Sequence, residues 1–222
     1  MRREARHNSE MVNQLLFGDG VEILEHIEEW CRVRSQYDGY EGWVSDKQLD
    51  AVETLPATDC TVTEPFRQLV YMGKRLTVSV GSCCCCEWLA GGAMATAASP
   101  VEVALRLLGA PYLWGGRTPM GIDCSGLVQV AFKACGVRLP RDASQQASCG
   151  APVTLGELQA GDLAFFANDE GHIVHVGIAV GDGTIVHASG QVRRDSLTEE
   201  GIYNADLHRL THRLASLRRV MK

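Results

Sequence analysis

His172-Ile-Val-His-Val-Gly-Ile-Ala-Val180, Gly181-Asp-Gly183 and Thr184-Ile-Val-His-Ala188 decide how the second half of this chain folds. Apolar residues recur with a period of two on either side of a glycine-rich break, the pattern of two antiparallel strands and a tight turn. In the first strand His175 shares a face with Ile173, Gly177 and Ala179, while His172, Val174, Val176, Ile178 and Val180 share the other. The valine-rich face reads as core, and the small residues beside His175 leave space above it. If residues 181–183 form a three-residue loop, Val180 opposes Thr184 and His187 opposes Gly177. His187 then lies on the side of His175, within diagonal reach. A two-residue loop would shift the register by one and send His187 to the other face.

Working outward, Asp162-Leu-Ala-Phe-Phe-Ala167 repeats the period of two. Upstream of it the signals are helical. Ser99 reads as an N-cap before Pro100-Val-Glu-Val-Ala-Leu-Arg-Leu-Leu-Gly109, and Ser125-Gly-Leu-Val-Gln-Val-Ala-Phe-Lys-Ala-Cys-Gly136 is a second helix closed by glycine. Helices first and strands afterwards predict an α+β domain over 100–222, its helices packed on an antiparallel sheet. Residues 91–99, small and nearly uncharged, read as a linker. Before them, Gly20–His26, Trp30–Ser35 and Glu41–Ser45 suit short strands, separated by Gly18-Asp-Gly20 and Asp38-Gly39. Such spacing predicts a small β-barrel over 1–90.

The chain has 222 residues, 45% hydrophobic and 22% charged, the composition of an ordinary globular protein. Its net charge is −6, which disfavours a nucleic-acid partner, and no apolar run is long enough for a membrane span. All the excess is in the first 90 residues, with 9 basic and 15 acidic side chains; the remainder is balanced at 12 and 12. No secretory signal run follows the basic opening residues, so the expected compartment is the cytoplasm, or the periplasm or exterior if a leader has been removed. Nine cysteines, four of them consecutive at Cys83–Cys86, include no C-x-x-C pair with a matching second pair elsewhere, and adjacent cysteines in a strand cannot converge on one metal ion. The run reads as small core residues of a reduced protein.

Cys124 differs from the other cysteines because it sits in Gly121-Ile-Asp-Cys-Ser-Gly-Leu-Val128, between a glycine-rich loop and a helix. Unpaired N–H groups and the positive end of the helix dipole favour a thiolate there, while the adjacent Asp123 opposes one. A buried structural cysteine fits the same local context. Together with His175 as base and His187 as its orienting partner, Cys124 meets the logic of a thiol-hydrolase triad. His172, His7, His26, His208 and His212 show no such convergence and read as structural or solvated.

Several motifs in order resemble the NlpC-type cell-wall cysteine peptidases: Pro111-Tyr-Leu-Trp-Gly-Gly116, Asp123-Cys-Ser-Gly-Leu127, Leu139-Pro-Arg-Asp-Ala-Ser-Gln-Gln146, Gly161-Asp-Leu163, His175-Val-Gly-Ile178 and Ile185-Val-His-Ala-Ser189. Ser9–Gly18 and Gly42-Trp43-Val44 resemble the branch that carries an N-terminal bacterial SH3-like domain. The resemblance implies a compact papain-like catalytic domain. It also implies hydrolysis of the γ-D-glutamyl–diamino acid bond in murein peptides with a free N-terminal L-Ala. By matching position it makes Cys124 the nucleophile, His175 the base, His187 the third member and Tyr112 an oxyanion donor. Asp123, Ser125 and Asp142 become substrate contacts, with Asp142 on the free amine, and Glu10 and Tyr40 close the far end of the site. Ala143 stands where the branch often has Ser. No cofactor and no metal are implied, and the expected partner is a small murein peptide. The alternatives are a thiol amidase or acyltransferase on the same fold, a non-catalytic cell-wall binding module, and a metal site of Cys124, His175 and His187.

Overall fold

The computed structural model describes residues 1–90, 97 and 99–221. Strands β1 (Val21–Ile27), β2 (Trp30–Ser35) and β3 (Glu41–Ser45) form an antiparallel meander where the turn signals place them. Alternation sorts their side chains: Cys31, Val33 and Val44 make a small core, and Arg32 and Arg34 point outward into ion pairs with Glu25, Glu22 and Glu41. A second set of strands, not anticipated from the sequence, follows: β4 (Cys60–Thr61), β5 (Phe66–Tyr71), β6 (Lys74–Ser79) and β7 (Cys83–Cys84). They pair as two ribbons, β5 with β6 and β4 with β7, so the strands of the first 90 residues form three separate sheets and not the single barrel expected there.

The four consecutive cysteines do not all enter the core. Cys84 is fully buried against Val62, Leu69 and Leu89, whereas Cys83, Cys85 and Cys86 are only half-buried. Strand alternation over β7 turns neighbours to opposite sides, and the chain then leaves the strand in a 3-10 turn at Cys86–Trp88. Most of the expected 91–99 linker lies outside the described residues.

Helix α1 (Pro100–Leu105) is capped as expected, Ser99 Oγ accepting the Glu102 N–H at 3.2 Å, but it ends before Gly109. A two-stranded ribbon, β8 (Arg117–Thr118) and β9 (Gly121–Ile122), leads into α2 (Cys124–Ala134). Short α3 (Ala143–Gln146) and β10 (Ala151–Pro152) precede the main sheet. There, β11 (Leu163–Ala167), β12 (Ile173–Ala179), β13 (Thr184–Ser189), β14 (Gln191–Leu197), β15 (Gly201–Asn204) and β16 (Arg209–Arg219) pair antiparallel in succession. Strand β16 also pairs with β11, so the antiparallel sheet closes into a six-stranded barrel.

The register read from the sequence is the one observed. Gly177 opposes His187, Ala179 opposes Ile185, and the Val180 N–H donates to the Thr184 carbonyl at 2.9 Å across residues 181–183. Helix α2 packs Leu127, Val128, Val130 and Phe132 on the outer face of the barrel, against Val176, Ile178 and Val186. The space anticipated above His175 is filled instead. Closure turns that face to the barrel interior, where Phe166 lies opposite His175 and Ile185, Ile202 and Leu217 form a second core. Val174, assigned to the valine core, is 52% exposed. Among the described residues, no helix is long and apolar enough to cross a membrane.

Candidate active site

Cys124 is the first residue of α2 and is 5% exposed. Asp123 caps the helix, its Oδ1 accepting the Gly126 N–H at 2.7 Å and its Oδ2 the Gly115 N–H at 2.8 Å. Arg141 completes the loop by donating to both Asp123 oxygens, at 3.0 and 2.5 Å, and to Ser125 Oγ at 2.8 Å. Both oxygens of Asp123 are thereby engaged by protein donors. A Cβ at Gly126 would stand 2.3 Å from the Gly116 carbonyl, so only glycine lets the preceding loop lie over the helix start. Contrary to the lowered value anticipated at a helix start, burial and then the Asp123 carboxylate push the Cys124 thiol up to about 11. The Val176 and Ser125 backbone N–H groups and Arg141 oppose this shift without overcoming it.

The thiol therefore needs a base. His175 Nε2 lies 2.8 Å from His187 Nδ1, and His187 Nε2 lies 2.9 Å from Asp195 Oδ2. Asp195 accepts two further bonds from Arg193, at 2.6 and 2.9 Å. An ionised carboxylate only accepts, so His187 carries its proton on Nε2 and offers the Nδ1 lone pair to His175 Nε2–H. The remaining nitrogen of His175, Nδ1, is left unprotonated and can accept a proton. Burial, followed by repulsion from His212 and His187, holds His175 well below the ordinary histidine value, so it rests neutral. Burial alone would raise the Asp195 carboxyl, but hydrogen bonds from Arg193 and His187 pull it below the usual range. Moving one proton from Cys124 to His175 leaves the net charge of the buried pair unchanged, and the resulting ions attract each other.

Tyr112 joins this group through the backbone, bridging to Ile122, two residues before Cys124, and donating its N–H to the Gly190 carbonyl at 2.9 Å. Burial, with negative charge at Cys124 and Asp123, lifts its phenol to about 12, so it remains an O–H donor.

Two family signatures match this chain: the NlpC/P60 family over residues 109–211 and the bacterial dipeptidyl-peptidase SH3 domain over residues 1–49. The gamma-D-glutamyl-L-lysine dipeptidyl-peptidase of Bacillus subtilis is 30% identical over 87% of this chain and 78% of its own length. The chain belongs to the NlpC/P60 family. A crystal structure of an NlpC/P60 family protein from Bacillus cereus superposes with a TM-score of 0.80 at 25% identity, covering 95% of this chain and 82% of that one. A probable endopeptidase of Mycobacterium bovis is 48% identical over 40% of this chain, a match spanning 22% of that protein.

The N-terminal segment and the NlpC/P60 domain meet beside the Cys124 loop. Asn13 Oδ1 accepts from Arg141 Nε at 2.9 Å, tying residues 1–20 to the nucleophile loop. Glu10 Oε1 accepts the Trp114 indole N–H at 2.8 Å and pairs with Arg3 at 2.8 Å. Asp142 begins α3, and its half-buried carboxyl is raised by burial against the pull of Arg141. Burial and the Asp142 charge likewise raise Tyr40, so these two groups sense each other across the domain boundary.

Three residues of the site escaped the sequence reading. Arg141 organises the nucleophile loop, but its partners come from distant loops. Asp195 had a usable signal: the Ser189–Gln191 turn pairs His187 with Arg193, which places Asp195 diagonally on the same face. His212, read as structural or solvated, stacks on His175 with centroids 4.1 Å apart and 24° between planes. It reaches the other two histidines because β16 closes the barrel over them.

Proposed function

We propose that this NlpC/P60 protein is a cysteine peptidase that cleaves the γ-D-glutamyl–diamino acid bond of small murein peptides with a free N-terminal L-Ala. The observation that carries the reading is the His175–His187–Asp195 relay, in which the residue after His175, Val176, gives its backbone N–H to the Cys124 sulfur at the helix start. In the first step His175 Nδ1 takes the Cys124 proton and Sγ attacks the γ-carbonyl carbon. The Tyr112 hydroxyl and the Cys124 backbone N–H stabilise the tetrahedral oxyanion. Collapse breaks the C–N bond, and the departing amine takes the proton from His175, leaving a γ-glutamyl thioester. Water then gives a proton to His175 and its hydroxide to the carbonyl carbon; the C–S bond breaks, the acid is released, and Cys124 takes the proton back from His175. The helix carrying the nucleophile and the barrel carrying the base support a papain-like arrangement of the catalytic domain.

In this reading Glu10, Tyr40 and Asp142 select a free ammonium group; the Asp142 charge acting on Tyr40 across the domain boundary and the Glu10 bond to Trp114 support it. Nine unpaired cysteines fit work in a reducing cytoplasm on released peptides. The test is incubation with L-Ala-γ-D-Glu-diamino acid and its N-acetylated form, with products identified by mass. Release of the diamino acid from the free peptide only is expected. Cys124→Ala and His175→Ala abolish it and Cys84→Ala does not. Equal cleavage of both peptides overturns the amine selectivity, and full activity in Cys124→Ala overturns the mechanism.

A further inference from the structure

His212 has no part in the reaction described above, yet one ring nitrogen from each of His175, His187 and His212 lies within 4.8 Å of the others. We infer that these three imidazoles form a binding site for a zinc-class divalent cation, occupied at the expense of catalysis. The inference takes its functional consequence from the peptidase reading above, while the site itself stands on geometry alone.

Hydrogen bonding sets one of the three rings as a ligand and allows a second. His187 gives Nε2–H to Asp195 and turns its Nδ1 lone pair inward, the carboxylate–histidine arrangement that orients metal ligands. His212 Nδ1 lies 2.9 Å from Thr211 Oγ1, whose hydroxyl is also 3.3 Å from the Ile202 carbonyl; when that carbonyl takes the hydroxyl proton, Thr211 accepts from His212 Nδ1–H. That leaves Nε2 of His212 as the lone pair. Three neutral imidazoles suit zinc, copper or nickel rather than magnesium or calcium. His175 and His187 are buried, whereas His212 is only half-buried and leaves a way in for the ion.

Seating the ion requires small movements. Nitrogens about 2.0–2.1 Å from a tetrahedral zinc stand about 3.4 Å apart. The 2.8 Å His175–His187 hydrogen bond must open and the His175–His212 stack must splay. The chemical consequence is a tautomer change. A metal on His175 Nε2 takes that lone pair, so the ring's single proton moves to Nδ1. No atom of His175 is then free to accept the Cys124 proton, and the enzyme is off until the ion leaves. His212 is thus a ligand whose use excludes turnover, and it is distinct from the catalytic residues.

The experiment uses zinc chloride on the full chain. With Cys124→Ala, which removes the reactive thiol, calorimetry should show saturable one-to-one zinc binding. Adding His212→Ala or the bulkier His212→Gln should weaken it about tenfold or more. In the active protein, zinc should suppress hydrolysis and a chelator should restore it. Each His212 variant, compared with its own metal-free rate, should need about tenfold more zinc for half-inhibition, while His172→Gln responds like wild type. No saturable binding to Cys124→Ala overturns the site. Equal zinc sensitivity in wild type and folded His212→Gln also overturns it, because inhibition then runs through the thiol. If the murein peptide is not cleaved at all, the proposed substrate fails, while the calorimetric comparison still decides the metal site.

Discussion

At the scale of the residue, the site depends on which nitrogen carries which proton. Asp195 fixes His187, and His187 fixes His175, so a change two steps from the thiol alters the base. Asp195→Asn should lower kcat about tenfold or more with little change in KM, because the amide no longer enforces one tautomer. Steady-state kinetics on the murein tripeptide, with circular dichroism as a check of folding, test this; an unchanged kcat refutes the relay. Cys124 was legible from its place between a glycine-rich loop and a helix, and His175 and His187 from the strand periodicity that sets their face. Arg141 and Asn13 were not, because their bond joins loops 128 residues apart and no local pattern encodes it. The thiol environment was misjudged for a related reason. Helix-start stabilisation is local and visible in sequence, whereas the burial that outweighs it comes from the whole fold.

At the scale of the element, the β12–β13 pair is the part the sequence describes best, and Gly177 shows why its spacing is tight. A Cβ there would stand 2.7 Å from Ile185 Cδ1 and 2.9 Å from His187 Cβ. Gly177→Ala should therefore push β13 away, cost about 1–3 kcal/mol of stability and lengthen the His175–His187 bond. Denaturant unfolding and kcat should fall together; a fully active, equally stable variant would show that the strands relax freely. Period two reveals which face a residue occupies but not what covers that face. The same alternation serves an open sheet and a closed barrel, and closure here depends on β16 pairing with both β15 and β11. For that reason the filled interior, and His212 within it, could not be read from the strands singly.

At the scale of the whole molecule, the acidic first half meets the second through buried charge as well as through the site. Asp19 receives Lys133 Nζ at 2.6 Å and Arg117 Nη1 at 3.4 Å, with all three side chains at most 5% exposed. Beside them Tyr37 donates its hydroxyl to the Val137 carbonyl at 3.3 Å and takes Lys133 Nζ 4.7 Å from its ring centroid. Burial raises Tyr37 to about 12, against an ordinary value of 10. Between these values the unfolded chain loses the proton first, so the Tyr37 contribution is intact below pH 10 and is lost as pH rises toward 12. Stability of wild type should fall about 2 kcal/mol more steeply than that of Tyr37→Phe across this window. Parallel declines in urea midpoint refute the assignment.

The Asp19 cluster makes the stronger demand on the interface. Desolvating three charges is costly, and only their mutual attraction and hydrogen bonds offset it, so removing the one anion strands two cations in the core. Asp19→Ala should destabilise the protein by about 3–5 kcal/mol. Replacing the ion pair with apolar groups, Asp19→Leu with Lys133→Met, should recover part of that loss, since it removes a buried cation along with its partner. Urea unfolding of the two variants separates the possibilities. If Asp19→Ala costs under about 1 kcal/mol, the segment is docked by surface contacts. A large loss that the double variant partly repairs means that the SH3-like segment and the catalytic domain fold as one cooperative unit. That unit also holds the nucleophile loop, because Asn13, six residues before Asp19, anchors the arginine that braces Asp123.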